Sequence, residues 1–472
     1  MLFESFTAEG LAHYSYAVGC QASKEMAIVD PQRDVDGYLA FAHAKGMRIT
    51  HVLETHIHAD FASGARELAE RTGATVYEST YDAGETFEID FPHRDLADGD
   101  EVRVGNLRIR ALHTPGHTPE HLSFLVFDET RSVDVPMMML TGDFLFVGSL
   151  GRPDLLGEEA KRALANQLFD SVRQVLPALP DGLEIYPAHG AGSMCGSGMS
   201  GRPMTTLGFE RLANPYLDPA LDRETFVARV LGSVPPFPPY YRRMKALNSA
   251  GAKSLGADAL PGEALDVDGF QRAMENGAVV VDLRDQHAFG GDHIVGSLGI
   301  PFRDDLSVWT SWMVPYETPI LLVTADERQL EPAIRRLVRV GLDEVAGWLD
   351  GGIATWRERG LPMTSLEQIT PAQLEGHLDE VTVLDARENG EWDAGHLRGA
   401  HHIPAHAVLD RIDEVRALDG PIAVMCGSGY RSTVAASQLQ RAGIGNLLNV
   451  TGGMNAWRAL DLPVVKPTEA TA

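Results

Sequence analysis

Histidine and aspartate recur in four short motifs. They are Thr55-His56-Ile57-His58-Ala59-Asp60, His113-Thr114-Pro115-Gly116-His117-Thr118-Pro119-Glu120-His121, Thr141-Gly142-Asp143 and Pro187-Ala188-His189-Gly190. Imidazole nitrogen and carboxylate oxygen are the donors a borderline divalent metal takes. A lone histidine is more often a packed or surface residue, but four such motifs in series point to a metal centre. A second constellation runs from Val424 to Thr433: an apolar stretch, Cys426, a glycine-bearing loop and Arg431. There the thiol would face successive backbone N–H groups at a helix start, which stabilises a thiolate and an anion carried on it.

The elements that must position these residues alternate between strand and helix. EMAIVDP and ITHVLETH read as strands, and VDGYLAFAHAKG and ASGARELAERTG as amphipathic helices with glycine stops. DGDEVRVGNLRIRALHT reads as a hairpin turning at Gly105-Asn106. HLSFLVF and VPMMMLTGD read as buried strands, so the first part of the chain is α/β. Pro115 and Gly116 place His117 on a turn.

The proline-rich stretch at 233–245, SVPPFPPYYRRMK, excludes regular helix and reads as a stiff connector. Beyond it the chain repeats itself. Asp282 matches Asp385, His293 matches His396, and Trp356 matches Trp457, as in duplicated domains. Aligning the two tryptophans puts Ala325 where the second copy has Cys426, so the first copy lacks the thiol.

The chain has 472 residues, 44% hydrophobic, with a net charge of -26. So acidic a surface excludes nucleic acid and anionic membrane as partners. No segment is long and apolar enough to span a membrane, and the start carries no secretory pattern. Three widely spaced cysteines, Cys20, Cys195 and Cys426, are not a disulfide framework and favour a reducing, cytoplasmic setting. Cys20 reads as structural. Cys195 lies in the glycine-rich string GAGSMCGSG just after His189, where a thiol at the mouth of a metal site could contact sulfane sulfur.

His-x-His-x-Asp, Pro-Gly-His-Thr, Gly-Asp and Pro-Ala-His together resemble the metallo-β-lactamase superfamily, over roughly residues 1–230. The resemblance implies an αββα sandwich with its metal at one edge. The superfamily's hydrolases follow the aspartate with a histidine for a second metal, but here Phe61 follows Asp60. One metal on two histidines and a carboxylate suits non-haem Fe(II). ETHIHADFASG and GDFLFVGSLGRPDL resemble the persulfide dioxygenases of the ethylmalonic encephalopathy protein type. That resemblance implies one Fe(II) per chain on His56, His117 and Asp143. It leaves His58, Asp60 and His189 to surround and orient the ligands. It also puts Arg152, of the Gly-Arg-Pro-Asp motif, near the substrate or in a structural role. The Cys-x4-Arg loop resembles that of rhodaneses, with Cys426 and Arg431 as its catalytic pair. The domain order is similar to that of persulfide dioxygenase–rhodanese fusions of the CstB type, in which Cys195 has a counterpart.

The expected architecture is α/β throughout: a metallo-β-lactamase αββα sandwich followed by two rhodanese-like domains with parallel sheets. The expected boundaries are 1–232 for the dioxygenase domain, 233–262 for the linker, 263–363 for the inactive rhodanese and 364–466 for the active one. The implied partners are a low-molecular-weight thiol persulfide, O2, and sulfite or thiosulfate. A homo-oligomer is expected. The rival readings are a zinc thioester hydrolase with a rhodanese tail, and a non-enzymatic persulfide relay.

Overall fold

The computed structural model describes residues 1–256 and 260–466. The chain forms two compact units: the first takes in the N-terminal part together with Arg335–Gly341, and the second begins at Leu260 and omits that segment.

The first unit is layered αββα. One six-stranded sheet runs Leu2–Ala8, His13–Cys20, Glu25–Val29, Arg48–Leu53, Thr75–Ser79, Arg94–Leu96. The other runs Thr205–Thr206, Glu184–Pro187, Met138–Gly142, Leu122–Asp128, Leu107–His113, Glu101–Val104. Successive strand residues face opposite sides of a sheet. In Glu25–Val29, Met26 and Ile28 therefore join the outer core, with Tyr38 and Leu68 of the flanking helices. Ala27 and Val29 join the core between the sheets, with Leu122, Phe124 and Leu140. Both faces are covered, which is why these strands read as unbroken apolar runs. On the far side, Leu168 and Val172 of the helix Lys161–Gln174 pack on Leu125, Met139 and Ile185. The hairpin expected at Gly105-Asn106 is present, with Val104 opposite Leu107.

The second unit holds two sheets of five parallel strands each. The first runs Glu263–Leu265, Val345–Leu349, Ile320–Val323, Val279–Asp282, Leu298–Gly299. The second, Glu367–Ile369, Leu447–Val450, Ile422–Met425, Thr382–Asp385, His401–His402, repeats that order. The matched residues perform matched tasks. Arg284 forks onto Asp282 as Arg387 does onto Asp385, each at 2.6 Å. Trp356 Nε1 donates to Pro362 O at 3.1 Å, and Trp457 Nε1 to Pro463 O at 3.0 Å. These are framework residues.

Two expectations are corrected. The stretch 233–262 is not a bare connector, although its residues 257–259 lie outside the described residues. The proline run ends at Pro239, and a helix, Tyr241–Ala250, starts just beyond it. Proline excludes helix only where it stands and just before, so YYRRMK was free to coil. The second correction concerns the repeat. Asp282 pairs with Val323 and Asp385 with Met425. Strand register therefore places Thr324, not Ala325, where the second copy has Cys426. The copy still has no sulfur there.

Candidate active site

Each metal-site motif follows a strand. Arg48–Leu53 leads into the loop bearing His56, and Met138–Gly142 ends beside Asp143. The turn after Leu107–His113 carries His117. Gly142 has φ +52, and a Cβ there would stand 2.5 Å from His121 Nε2 and 2.7 Å from Thr55 Oγ1. Only glycine lets the strand end so close to these loops.

His56, His117 and Asp143 each offer one ligand atom, and the three lie within 4.8 Å of one another. Hydrogen bonds fix which nitrogens are free. Asp30 accepts from the Thr55 N–H at 2.7 Å and from its hydroxyl at 3.0 Å. The Thr55 oxygen, its proton committed, then accepts from His56 Nδ1 at 2.9 Å. His117 Nδ1 donates to the Arg152 carbonyl at 2.8 Å. Both imidazoles therefore present a bare Nε2, and burial holds both well below the ordinary histidine range. His56 Nε2, His117 Nε2 and Asp143 Oδ2 are buried without a hydrogen-bond partner. Buried polar atoms are rarely left so. Three orphaned lone pairs converging on one point fit a metal ion held by two histidines and a carboxylate.

The other sequence-derived residues divide. His189 lies between two carboxylates, Nδ1 to Asp143 Oδ1 at 2.7 Å and Nε2 to Asp60 Oδ2 at 2.7 Å. Burial opposes its charge, but Asp143 and Asp60 override this and hold it well above the usual range. It thereby pins the carboxylate of Asp143. His58 turns away to Glu54 at 3.0 Å and Asp30 at 3.2 Å. Burial would lower it, but Asp30 and Glu54 push it up to about 10. Phe61 packs against the rings of His13 and His58, at 4.0 and 4.4 Å between centroids.

Cys195 is buried within 4.8 Å of Asp60 and His189, and its sulfur is 3.7 Å from the Tyr241 hydroxyl. Burial pushes this thiol up to about 12. Arg152 is corrected as a substrate contact. It is 2% exposed, and its side-chain nitrogens bond Asp154 twice and the carbonyls of Met194, Pro235 and Pro236. Five donors are engaged and none is left for a ligand. Arg152 ties together the loops behind the site.

The reading from sequence missed the helix Tyr241–Ala250. Its Asn248 donates to His58 O at 2.8 Å and Phe61 O at 2.7 Å, and accepts from Ser63 N at 2.8 Å. Lys245, buried, donates to Ile57 O at 2.9 Å, with Glu120 at 3.4 Å. Tyr240 reaches Asp60 O at 3.2 Å. This short helix and the tyrosine before it thus hold much of the backbone of the loop 57–63. Also missed were Asp30 and His121, whose Nε2 accepts from the Asp143 N–H at 3.0 Å. The Thr55 hydroxyl and the second histidine of His117-Thr-Pro-Glu-His121 were the available signals.

In the second unit, Cys426 follows the strand Ile422–Met425 and is 1% exposed. Gly429 N–H donates to its sulfur at 3.1 Å, and the Ser432 hydroxyl stands 3.4 Å away. Arg431 pairs with Glu391 through both oxygens, at 2.5 and 2.8 Å. In the first copy, Asp326 and Arg328 pair with each other instead, at 2.8 Å.

Sandwich, sheet pair and buried donor set define a class: the chain belongs to the metallo-β-lactamase superfamily and carries two rhodanese-like domains behind that fold. The metallo-β-lactamase superfamily profile matches residues 8–189, and the rhodanese-like domain profile matches 266–359 and 370–460. A metallo-β-lactamase structure from Staphylococcus aureus subsp. aureus COL is 34% identical, with a TM-score of 0.66. That similarity covers 74% of this chain and 98% of that one. The mitochondrial persulfide dioxygenase ETHE1 of Bos taurus is 29% identical over 45% of this chain and 74% of its own length. A hydroxyacylglutathione hydrolase of Rhodospirillum rubrum is 34% identical over 38% of this chain, which spans 62% of that protein.

Proposed function

We propose that the chain is an iron-dependent persulfide dioxygenase joined to a sulfurtransferase. The observation that carries this reading is the trio of bare ligand atoms on His56, His117 and Asp143, with a phenyl at Phe61 packed on His58. Two histidines and one carboxylate suit non-haem iron. Bound Fe(II), one per chain, would supply the one-electron activation of dioxygen that no side chain provides.

The chain's own residues do the rest. Thr55 and the Arg152 carbonyl fix the tautomer of both imidazoles and aim Nε2 inward, while burial keeps the rings neutral. His189 fixes the Asp143 carboxylate, and Asp60 fixes His189. Cys195 lies beside this pair, placed to contact the sulfane sulfur of a low-molecular-weight persulfide. The overall reaction is RSSH + O2 + H2O → RSH + sulfite + 2 H⁺. At the second site a persulfide on Cys426 loses its outer sulfur to sulfite, giving thiosulfate and the Cys426 thiolate. The Gly429 N–H stabilises that thiolate, and Arg431 the passing anion.

We assign 1–232 with the helix Tyr241–Ala250 to the dioxygenase, 263–363 to a rhodanese without a nucleophile and 364–466 to the active rhodanese. A cytoplasmic homo-oligomer is the setting we propose. Among the described residues no helix is long and apolar enough to cross a membrane.

The test is oxygen uptake by the iron-analysed protein on addition of glutathione persulfide. His117→Ala should abolish uptake and lower bound iron at least tenfold, while Cys426→Ser should yield sulfite without thiosulfate. Uptake by His117→Ala equal to wild type would refute the scheme. The hydroxyacylglutathione hydrolase relative favours a second reading, thioester hydrolysis at zinc. Turnover of a glutathione thioester by zinc-loaded protein, without oxygen uptake in the iron form, would establish it.

A further inference from the structure

Resting on the proposed role of Cys426, we infer that the cysteine-less rhodanese copy sets the reactivity of that thiol through Gln286, a positioning residue on one peptide plane. The peptide unit between Ser428 and Gly429 lies beside the sulfur. Its N–H, on Gly429, points at Cys426 Sγ at 3.1 Å. In a trans peptide the carbonyl points the opposite way. That carbonyl, on Ser428, accepts from Gly452 N at 3.2 Å and from Gln286 Nε2 at 3.4 Å.

Gln286 belongs to the other copy, at the start of the short helix Gln286–Gly291. Its amide nitrogen would stand only 3.1 Å from a Cβ on Gly429, so it lies directly on the loop. Only the nitrogen end of the amide can face a carbonyl.

The plane needs holding because its neighbour is glycine. Gly429 has φ +101, a conformation open to glycine and to few others, so rotation of this peptide meets little steric resistance. Rotation would turn the Ser428 oxygen toward the sulfur and withdraw the N–H. A thiolate, or the terminal sulfur of a persulfide anion, would then face a carbonyl dipole of the wrong sign. Gln286 and Gly452 oppose this from behind. The copy without sulfur thus keeps a donor aimed at the sulfur of the other.

Charged groups of both copies surround the loop: from the copy without sulfur, Arg303 lies over the Tyr430 ring at 4.5 Å and Asp305 faces the Tyr430 hydroxyl. Arg431 is paired with Glu391, and Glu388 faces His406 at 3.5 Å. A neutral substitution at 286 leaves all of them in place.

The experiment uses the full chain with Gln286→Met, which keeps length and charge and removes the donor. Alkylation of Cys426 by iodoacetamide is followed across the pH range on the isolated peptide, which separates it from Cys20 and Cys195. The expected result is a midpoint moved to higher pH and about three-fold slower alkylation at neutrality, the effect of weakening one N–H···S bond. Hydrogen exchange of the peptide spanning Gly429 should accelerate, and oxygen uptake at the first site should stay unchanged. A Gln286→Met profile and exchange rate superposable on wild type would overturn the inference. Cys426→Ser tests the underlying reading separately, since sulfur transfer that survives it removes Cys426 itself from the scheme.

Discussion

Asp143 gives one oxygen to His189 and leaves the other bare, and the roles around it follow from which atoms are already engaged. Spacing alone could name His56, His117 and Asp143, because His-x-His and Gly-Asp are local patterns. It could not distinguish His56 from His58, which share a loop. The distinction comes from Asp30 and Glu54, which lie at the ends of neighbouring strands and draw His58 away. Arg152 makes the same point in reverse. A motif arginine beside an anionic substrate looks functional until its five donors are seen to be engaged. Replacing it with methionine should take five hydrogen bonds from Asp154 and the carbonyls of Met194, Pro235 and Pro236. We expect a loss of about 1–3 kcal/mol in urea unfolding, the usual result of removing hydrogen bonds to a charged group whose partners water can reach. The Michaelis constant for persulfide should not change in molecules that remain folded. A Michaelis constant raised tenfold at unchanged stability would return Arg152 to the substrate.

At the scale of elements, the strands and the hairpin were readable because both sheet faces are covered and the turn residues are specific. The helix Tyr241–Ala250 was not, because four prolines between 235 and 239 dominate the local composition. Its apolar content is modest, and it is held largely by polar side chains reaching backbone carbonyls. No hydrophobic periodicity reports such a contact. Asn248 is the central contact, with three hydrogen bonds to the loop 57–63. Asn248→Leu preserves volume and helix while removing all three. We expect it to lower bound metal several-fold, with faster hydrogen exchange confined to that loop and little change in the far sheet. Unaltered metal content would show that the strands alone hold the ligands.

Across the whole molecule, the duplication was legible because framework pairs such as Asp282–Arg284 and Asp385–Arg387 survive in both copies. The register at Thr324 was not, since the repeat spacing falls from 103 at the aspartates (385−282) to 101 at the tryptophans (457−356) and the motifs do not show where between them each residue is lost. The first unit carries a different long-range dependence. Asn248 and the carbonyl of His58 that it holds are separated by 190 positions in the chain. During synthesis the metal-binding loop leaves the ribosome long before the helix that fastens it exists. His56, His117, Asp143 and His189 can all be present on a nascent chain whose loop is still untied. Secure metal capture then becomes one of the last events in making this unit, and the growing chain passes its most exposed stage with weak affinity for ions. A chain cut after residue 232 should bind metal more poorly than one ending at 256, which keeps the helix Tyr241–Ala250.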